Sequence, residues 1–423
     1  SPVPPSPPRP NGYRGPAGRN RMAFEDVVVA GIGETGKHRP SRRNDQPYHT
    51  LEEYFRTAAD LTLADAGLEW GEIDGLGVAR PSTETPHRYP LVLAETLGFE
   101  DLRWLTTTDH CGGQAVPLLA QAAMAVDAGM VESVLCLGAD TPKHPEKGSG
   151  EVFPRDPRGF RRDYTDPFGL QGPNAQLAMV QRRHMERFGT TVEQLGELYV
   201  AQRESATRNP LAYFDDPVTV EDYVESGTIA DPIRLFDCVI PVNAGFGFLL
   251  TTPDLAAALG VDPVSIRGVG NSHNPEVAPR REFTAMGVGT AGERAFGMAG
   301  VGPDEMDFLQ LYDDYPIVEL MQLEELGYTE RGEGGEFLER TEFTHDGDLP
   351  VNTGGGQLCA GQAGIGGASF LQVLEAVRQL GGDGGERQVP DAERGLVTGV
   401  GAAQYGKNLT AHSAAVLERG VPA

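Results

Sequence analysis

A strand and helix pattern occurs twice in this chain of 423 residues, and this internal repeat restricts the fold more than any other feature of the sequence. The apolar, glycine-stopped run 27–33 predicts a buried strand, and the run 264–270 repeats it. The helical pattern that ends at Gly67 has its counterpart in a helix that ends at Gly300, and a second strand follows each of them. The sequence therefore predicts two β/α-rich halves.

A third pair of elements extends the repeat, because the helix and strand of residues 115–138 have counterparts over 368–401. The first residues hold seven prolines and four arginines with almost no large apolar side chain, which is typical of a disordered tail. The predicted organisation is a tail over 1–21, a first half over 22–262 and a second half over 263–423. A charged, proline-rich insertion is predicted within the first half, at about 141–241.

The net charge is strongly acidic, with 35 lysines and arginines against 61 aspartates and glutamates, or −26. This balance opposes general binding to nucleic acid or to an anionic membrane, so an acidic ligand requires a local basic patch. We also expect no transmembrane helix, because no apolar stretch reaches the roughly 18 residues that a membrane span needs.

The four cysteines have neither a CxxC pairing nor matching histidine spacing. The sequence therefore predicts no disulfide framework and no zinc site, and it favours the cytoplasm.

Five sequence blocks, in order along the chain, resemble one enzyme superfamily. They are GPNAQLAMVQRRHM (172–185), DPIRLFDC (231–238), LYDDYPIVELMQLEELG (311–327), LPVNTGGGQL (349–358) and LVTGVG (396–401). Together they resemble the thiolase superfamily, and within it the sterol-carrier-protein-X and lipid-transfer-protein group. They are most similar to the lipid-transfer-protein aldolases of steroid side-chain degradation. The resemblance implies a duplicated α/β fold in five layers, α-β-α-β-α, acyl-CoA chemistry and a homodimer.

The residues that a thiolase uses for acyl transfer are largely replaced. The nucleophile position of the family falls on Gly112, with Cys111 one residue earlier, and a gap of one residue would instead place it on Cys111. As a nucleophile, Cys111 would have a thiol pKa lowered by the following helix and by His110; as a structural residue, it is a small buried side chain. The family's Gly-His-Pro histidine is Gln362 here, and the second glycine loop, 397–401, carries no cysteine. Ordinary thiolysis is therefore not expected.

The lipid-transfer-protein aldolases use tyrosines instead, and one of them matches Tyr312. We predict that Tyr312 transfers a proton and that Asp313 orients it, with Tyr315 in reserve. The second tyrosine of the family falls on Gln362, which departs from the pattern. Tyr405 is a candidate replacement for that phenol, although a packing role is the alternative.

Two further segments are candidates for binding the substrate. The loop of Asn352 and Gly354, Gly355 and Gly356 is predicted to let backbone amides approach a carbonyl or pantetheine, or to be a turn without a ligand. Four arginines of the insertion are predicted to bind the phosphates of CoA, or to form a solvated charged loop: Arg155, Arg158, Arg161 and Arg162.

The leading hypothesis is a lyase that cleaves a β-hydroxyacyl-CoA, sterol-like or otherwise bulky, into a ketone and a shorter acyl-CoA. It requires no metal or redox cofactor. The resemblance also implies a small partner with an OB fold and a zinc ribbon. The alternatives are an acyltransferase acylated at Cys111 and a non-catalytic acyl-CoA-binding subunit.

Overall fold

The computed structural model describes residues 24, 26–83, 89–147, 166–170, 172–273, 284–401 and 409–420. Within these residues the strands are β1 (Val28–Glu34), β2 (Gly75–Ala79), β3 (Trp104–Thr108), β4 (Ser133–Asp140), β5 (Thr228–Ala230), β6 (Ile233–Arg234), β7 (Ala244–Thr251), β8 (Val264–His273), β9 (Phe308–Gln310), β10 (Arg394–Gly401) and β11 (Ala411–Arg419). The helices are α1 (Leu51–Ala66), α2 (Leu91–Leu97), α3 (Ala115–Asp127), α4 (Pro173–Phe188), α5 (Val192–Thr207), α6 (Val220–Glu225), α7 (Pro253–Leu259), α8 (Val288–Ala299), α9 (Pro316–Leu326), α10 (Gly334–Arg340), α11 (Gly356–Ala360) and α12 (Phe370–Gly381).

Nine of the strands form one mixed sheet in the order β3-β2-β4-β7-β1-β8-β11-β10-β9. The sheet consists of two halves that meet where β1 pairs with β8 in the antiparallel sense, Val28 opposite Ser265 and Val29 opposite Val264. The strand order β2-β4-β7-β1 in the first half corresponds to β9-β10-β11-β8 in the second. This correspondence confirms the duplication predicted from the sequence.

Equivalent glycines hold one helix against the joining strand of each half. A Cβ on Gly31 or Gly33 would overlap α1, and a Cβ on Gly268 or Gly270 would overlap α8. Only glycine permits such a close approach of helix and strand. The glycine-stopped strands of the sequence repeat are therefore the surfaces on which the two helices pack.

Five layers result, as the resemblance implied. Helices α3 and α12 lie between the two halves of the sheet and contact strands of both. Phe370 of α12 packs against Phe246 and Phe248 of β7, with ring centroids 6.3 and 5.5 Å apart. Helix α1 covers the opposite face of the first half and α8 that of the second. The arrangement is therefore an α-β-α-β-α fold whose two β layers are joined by hydrogen bonds through β1 and β8.

The segment between β4 and β7 contains α4, α5, α6 and the short pair of β5 and β6. Helix α4 begins at Pro173 and ends at Phe188, followed by the capping residue Gly189, whose φ of 83° suits only glycine well. The boundaries of the tail, the halves and the insertion stay predictions. No helix in the described ranges combines the length and the apolar character that crossing a membrane demands.

Candidate active site

A tyrosine hydroxyl fills the space beside Gly112. Gly112 lies in the turn between β3 and α3, and Tyr312 follows β9. A Cβ built on Gly112 would overlap the Tyr312 hydroxyl, and the tyrosine side chain is only 3% exposed. The position that the resemblance predicts for the thiolase nucleophile therefore has the phenol of another residue beside it.

The backbone of Tyr312 is held on both sides by two polar side chains. Its N–H donates to Thr398 Oγ1 of β10 at 2.9 Å, and its carbonyl accepts from Gln322 Nε2 of α9 at 2.7 Å. Thr398 Oγ1 in turn donates to Gln322 Oε1 at 2.6 Å. Because all three residues are buried, this closed set of hydrogen bonds fixes where the phenol lies.

The carboxylate of Asp314 accepts hydrogen bonds from the Tyr312 hydroxyl and from Gln362 Nε2. Burial raises the pKa of Asp314 to about 6, although both hydrogen bonds oppose the increase. Burial, together with the charge of Asp314, raises the pKa of Tyr312 well above its usual range. Near neutral pH the pair is thus a neutral phenol that donates to an ionised carboxylate.

Asp313 forms hydrogen bonds with the start of α11 and with Gln372. Its carboxylate accepts from the backbone N–H groups of Gln357 and Leu358 at 2.9 and 3.0 Å, in the first turn of α11, and from Gln372 Nε2 at 2.7 Å. The hydrogen bond from the Tyr312 hydroxyl goes to Asp314. The Asp313 carboxylate instead anchors a short helix, and an orienting effect of Asp313 on the phenol stays a prediction.

The glycine loop that precedes α11 is buried among protein atoms. Asn352 has a left-handed φ of 49°, and its Nδ2 donates to Glu319 Oε1 at 2.8 Å. A Cβ on Gly355 would overlap Ala206, and one on Gly356 would overlap the Asp313 carboxylate. The groups that approach this backbone closely in the structure are protein side chains. Binding of substrate by this loop, Gly354 included, stays a prediction.

Cys111 and His110 lie in the same turn as Gly112. Cys111 has a left-handed φ of 53° and is near enough to Tyr312 for its charge to raise the pKa of that phenol. The helix begins only at Ala115. His110 stacks on His273 with ring centroids 4.9 Å apart, and burial and His273 lower its pKa. His110 is therefore neutral near pH 7, and its predicted effect on the pKa of the Cys111 thiol stays a prediction.

Several predicted site residues fall outside the described part of the chain. These are Tyr405 and the four arginines Arg155, Arg158, Arg161 and Arg162. Tyr315, the reserve phenol, donates to Asn174 Oδ1 on α4. The structure thus brings together Tyr312, Gln362 and Cys111 of the predicted set.

Three members of the site were not singled out from the sequence: Asp314, Gln322 and Thr398. Asp314 directly follows the predicted Tyr312 and Asp313. The pair of aspartates was therefore a sequence signal for this site, but it did not show which aspartate accepts a hydrogen bond from the phenol. Gln322 lies within the LYDDYPIVELMQLEELG block, ten residues after Tyr312 and on the face of α9 that turns back toward it.

Comparisons with known proteins agree on one superfamily. Residues 269–419 match the family model "Thiolase C-terminal domain-like". The chain is 32% identical over 376 residues, 85% of its length and 93% of the relative, to 17-hydroxy-3-oxo-4-pregnene-20-carboxyl-CoA lyase of Mycobacterium tuberculosis. It is 32% identical over 84% of its length and 90% of the relative to the steroid side-chain-cleaving aldolase of Thermomonospora curvata.

Acyltransferases are also among the similar proteins. An acetyl-CoA acetyltransferase of Methanothermobacter thermautotrophicus is 32% identical over 89% of this chain and 97% of that relative. Among solved structures, the Ltp2-ChsH2(DUF35) aldolase superposes with a TM-score of 0.79 at 29% identity, covering 93% of this chain and 98% of that one.

Proposed function

The chain belongs to the thiolase superfamily, in the group that includes the steroid side-chain-cleaving aldolases, and we propose that it cleaves a β-hydroxyacyl-CoA by a retro-aldol reaction. The products are a ketone and a shorter acyl-CoA. One observation carries this proposal: the Tyr312 phenol takes the place of a side chain at position 112 and donates to Asp314, a carboxylate that ionises near pH 6. A phenol coupled to such a carboxylate suits proton transfer near neutral pH.

In the proposed reaction, Tyr312 passes a proton from the substrate to Asp314. The phenol oxygen takes the proton of the β-hydroxyl while the phenol proton moves to the Asp314 carboxylate. A carbonyl forms at the β carbon as the bond between the α and β carbons breaks, and the electrons of that bond pass to the thioester as an enolate. The raised pKa of Tyr312 is the reason for involving Asp314, since an isolated buried phenol would be a poor base.

The proton then returns by the same route. Asp314 protonates the Tyr312 oxygen as the phenol proton is delivered to the α carbon of the enolate. The shorter acyl-CoA is thereby completed, and both side chains regain their original protonation states. No proton or electron is gained or lost overall, so the proposed reaction requires no redox cofactor.

Claisen chemistry is less well supported by the same residues. A Claisen thiolase needs a titrating histidine where this chain has Gln362, and a second cysteine in the glycine loop that corresponds here to residues 397–401. Gln362 donates a hydrogen bond to Asp314 and does not titrate. With these replacements the fold is retained, and Tyr312 and Asp314 are the groups that can transfer a proton.

The substrate class follows from the names of the relatives. The lyase of Mycobacterium tuberculosis is named for a substrate with a hydroxyl at carbon 17 and a CoA thioester on the carboxyl at carbon 20. We propose a substrate of the same kind, with a hydroxyl β to the thioester and a sterol-like or otherwise bulky ketone as the leaving product.

The test is ketone release from branched β-hydroxyacyl-CoA substrates, detected by mass spectrometry. We expect Tyr312→Phe and Asp314→Asn each to lower kcat by a factor of about 10² to 10⁴. Tyr223→Phe is the matched control, because Tyr223 is another buried phenol that donates to a carboxylate, Asp237, outside the site. Loss of kcat in the control as large as in Tyr312→Phe would contradict the proposal.

Acyl transfer at Cys111 is the second candidate, favoured by one observation. Cys111 lies beside the Tyr312 phenol on a left-handed turn, and an acetyltransferase is as similar in sequence as the aldolases. Incubation with an acyl-CoA followed by mass spectrometry of the intact protein distinguishes the two. We expect no adduct on the wild-type protein and full ketone release by Cys111→Ala. An adduct on Cys111 of the wild type, together with loss of turnover in Cys111→Ala, would establish the acyltransferase.

We propose that the protein works with a small partner that has an OB fold and a zinc ribbon, and as a homodimer. The similar aldolase structure is named together with a second protein, ChsH2(DUF35), which supports a partner of this kind. Size-exclusion chromatography of the chain alone and with such a partner tests both proposals. The cytoplasm is the proposed location, on the grounds of the cysteine pattern given above.

A further inference from the structure

Two loops that follow β1 and β4 form a basic pocket of about 320 Å³. Arg42 and Arg43 contribute from the first loop, and Lys143 and Lys147 from the second. Strands β1 and β4 both run antiparallel to β7, so they run in the same direction. Strand β2 is parallel to β4 and to β3, so β3 has this direction too. The two loops therefore leave the sheet at the same edge as the turn that carries Cys111 and Gly112.

The pocket concentrates positive charge in an acidic protein. Its lining includes four cations and one carboxylate, that of Glu146, in a chain of net charge −26. Within the described ranges, none of these four cations forms an ion pair with a carboxylate. Arg42 Nη2 donates instead to the backbone carbonyl of Glu146 at 2.8 Å. Partial burial, and then the charge of the neighbouring Arg39, lowers the pKa of Lys143, as crowded cations without a counter-ion require.

One residue, Asn243, holds the two loops together through its side chain and its backbone. Asn243 Nδ2 donates to the Lys143 carbonyl, and Lys143 N donates to Asn243 Oδ1, both at 2.8 Å. The backbone of Asn243 exchanges hydrogen bonds of 2.7 and 3.0 Å with that of His38 in the first loop. The backbone of the pocket is therefore held in place by hydrogen bonds. A fixed arrangement of cations favours specific binding of one ligand over non-specific accumulation of anions.

The same segment connects the pocket to the candidate active site. Val242, the neighbour of Asn243, donates from its N–H to the Gln362 carbonyl at 2.9 Å, and the Gln362 side chain donates to Asp314. The path of Cα atoms from Gln362 through Val242 and Asn243 to Lys143 has a length of roughly 15 Å, given typical neighbour and cross-strand spacings. A ligand with its anionic groups in the pocket thus needs an extended arm to reach the phenol.

We propose that this pocket binds the phosphate groups of the nucleotide part of the CoA thioester. The inference rests on the proposed function for the identity of the ligand. CoA carries a diphosphate and a 3′-phosphate on its adenosine, and a long pantetheine arm separates them from the thioester. Arginine and lysine together suit such a ligand, because guanidinium groups bind phosphate oxygens in pairs and ammonium groups add point charge.

The first test measures binding without turnover. Adenosine 3′,5′-bisphosphate and inorganic phosphate are titrated calorimetrically into the wild type, into Arg43→Gln/Lys147→Gln, and into the control Arg103→Gln/Arg340→Gln, at one low ionic strength. Both pairs are exposed and lose two positive charges. We expect the pocket variant to bind the bisphosphate about tenfold more weakly or worse, and the control to bind it as the wild type does. Equal bisphosphate affinity in the two variants overturns the proposal, as does phosphate binding as tight as that of the bisphosphate.

The second test separates this inference from the proposed function. With a β-hydroxyacyl-CoA, we expect the pocket variant to have a KM about tenfold higher than the control variant, whereas the corresponding pantetheine thioester should not distinguish the two. Equal KM values for the CoA thioester overturn the nucleotide site even if ketone is released. If no ketone is released by the wild type, the proposed function fails, and bisphosphate binding still decides whether the pocket holds nucleotide phosphates.

Discussion

The hydroxyl of Tyr312 lies where the Cβ of any other residue would stand at position 112, so Gly112 and Tyr312 are sterically dependent on each other. The two residues come from different halves of the chain, from the turn after β3 and from the segment after β9. A phenol at 312 in this position is compatible with glycine alone at 112. A thiolase nucleophile at position 112 and this placement of the tyrosine therefore exclude each other.

The first prediction concerns Gly112→Ala. We expect this change to lower the free energy of unfolding by about 1–3 kcal/mol and to reduce ketone release, because the added methyl group displaces the buried phenol. Chemical denaturation checks the stability. Gly297→Ala in α8 is the control, because a Cβ there meets no neighbouring atom within 4 Å, and it should be neutral or slightly stabilising.

A double-mutant cycle identifies the cause of this loss. In a Tyr312→Ala background the phenol is absent, so Gly112→Ala should cost much less than it does in the wild type. Equal costs in the two backgrounds would mean that the methyl group conflicts with something other than the phenol.

The second prediction is a pH dependence of turnover. Because the pKa of Asp314 is raised to about 6 and its ionised form accepts the proton, kcat should increase as the pH passes upward through about 6 and then level off. Asp314→Asn should remove this limb of the profile along with most of the activity. A profile that retains its midpoint near 6 in Asp314→Asn would assign the titration to another group.

The third prediction is that Asp314→Asn is more stable than the wild type at high pH. A carboxyl whose pKa is raised from 3.8 to about 6 in the folded state loses stability as the pH increases between these values. The cost above pH 6 is about 3 kcal/mol at most, from a shift of about two pKa units. Asp314→Asn should therefore gain up to about that amount at pH 8 and less at pH 5, as measured by denaturant unfolding at both pH values.

The fourth prediction separates Asp313 from its neighbour. Asp313→Ala leaves two amides of α11 and the Gln372 side chain without their acceptor, so we expect a loss of about 2–5 kcal/mol in stability. Asp313→Asn keeps one acceptor oxygen and should lose less. If Asp313 acts through helix anchoring alone, kcat of the folded Asp313→Asn protein should keep the pH midpoint of the wild type.

Much of the fold was predictable because it depends on local pattern. The glycines of 27–33 and 264–270 mark the strands on which α1 and α8 pack, and the apolar period of residues 115–128 marks the buried helix α3. The hydrogen bonds that join β1 to β8 were not predictable in this way. They pair residues more than 230 positions apart, and nothing in either strand alone specifies the partner.

The candidate site was predictable in its members but not in their contacts. Tyr312 and Gln362 were placed by resemblance, whereas the sequence did not show that Asp314 accepts the hydrogen bond of the phenol. Side chains alternate between two faces only along a strand, but β9 ends at Gln310 and residues 311–315 turn toward α9. The path of this turn then determines which aspartate contacts the phenol, and the spacing of residues in the sequence does not specify that path.

The fifth prediction concerns a buried ionic network that joins the first half to α12. Glu34 at the end of β1 forms ion pairs with Lys37 and with Arg378 of α12, the latter at 2.6 Å, and Arg378 lies 3.6 Å from Glu375. Burial alone would raise the pKa of Glu34, but the charges of Lys37 and Arg378 outweigh it and lower the pKa to about 2. The pairing therefore stabilises the fold fully above pH 4.5, and this contribution is lost as the pH falls from 4.5 toward 2.

Glu34→Gln should lower the free energy of unfolding at pH 7 by about 3 kcal/mol, since it leaves the buried Lys37 and Arg378 without their shared partner. The difference from the wild type should shrink as the pH falls below 4.5, because the unfolded wild type then takes up a proton on Glu34, whereas the folded protein keeps this carboxylate ionised down to about pH 2. Glu95→Gln on the exposed face of α2 removes the same charge without a buried partner and should change stability by less than about 0.5 kcal/mol. A difference between Glu34→Gln and the wild type that stays constant from pH 7 to pH 3 would show that lost packing, and not the ionic network, is responsible.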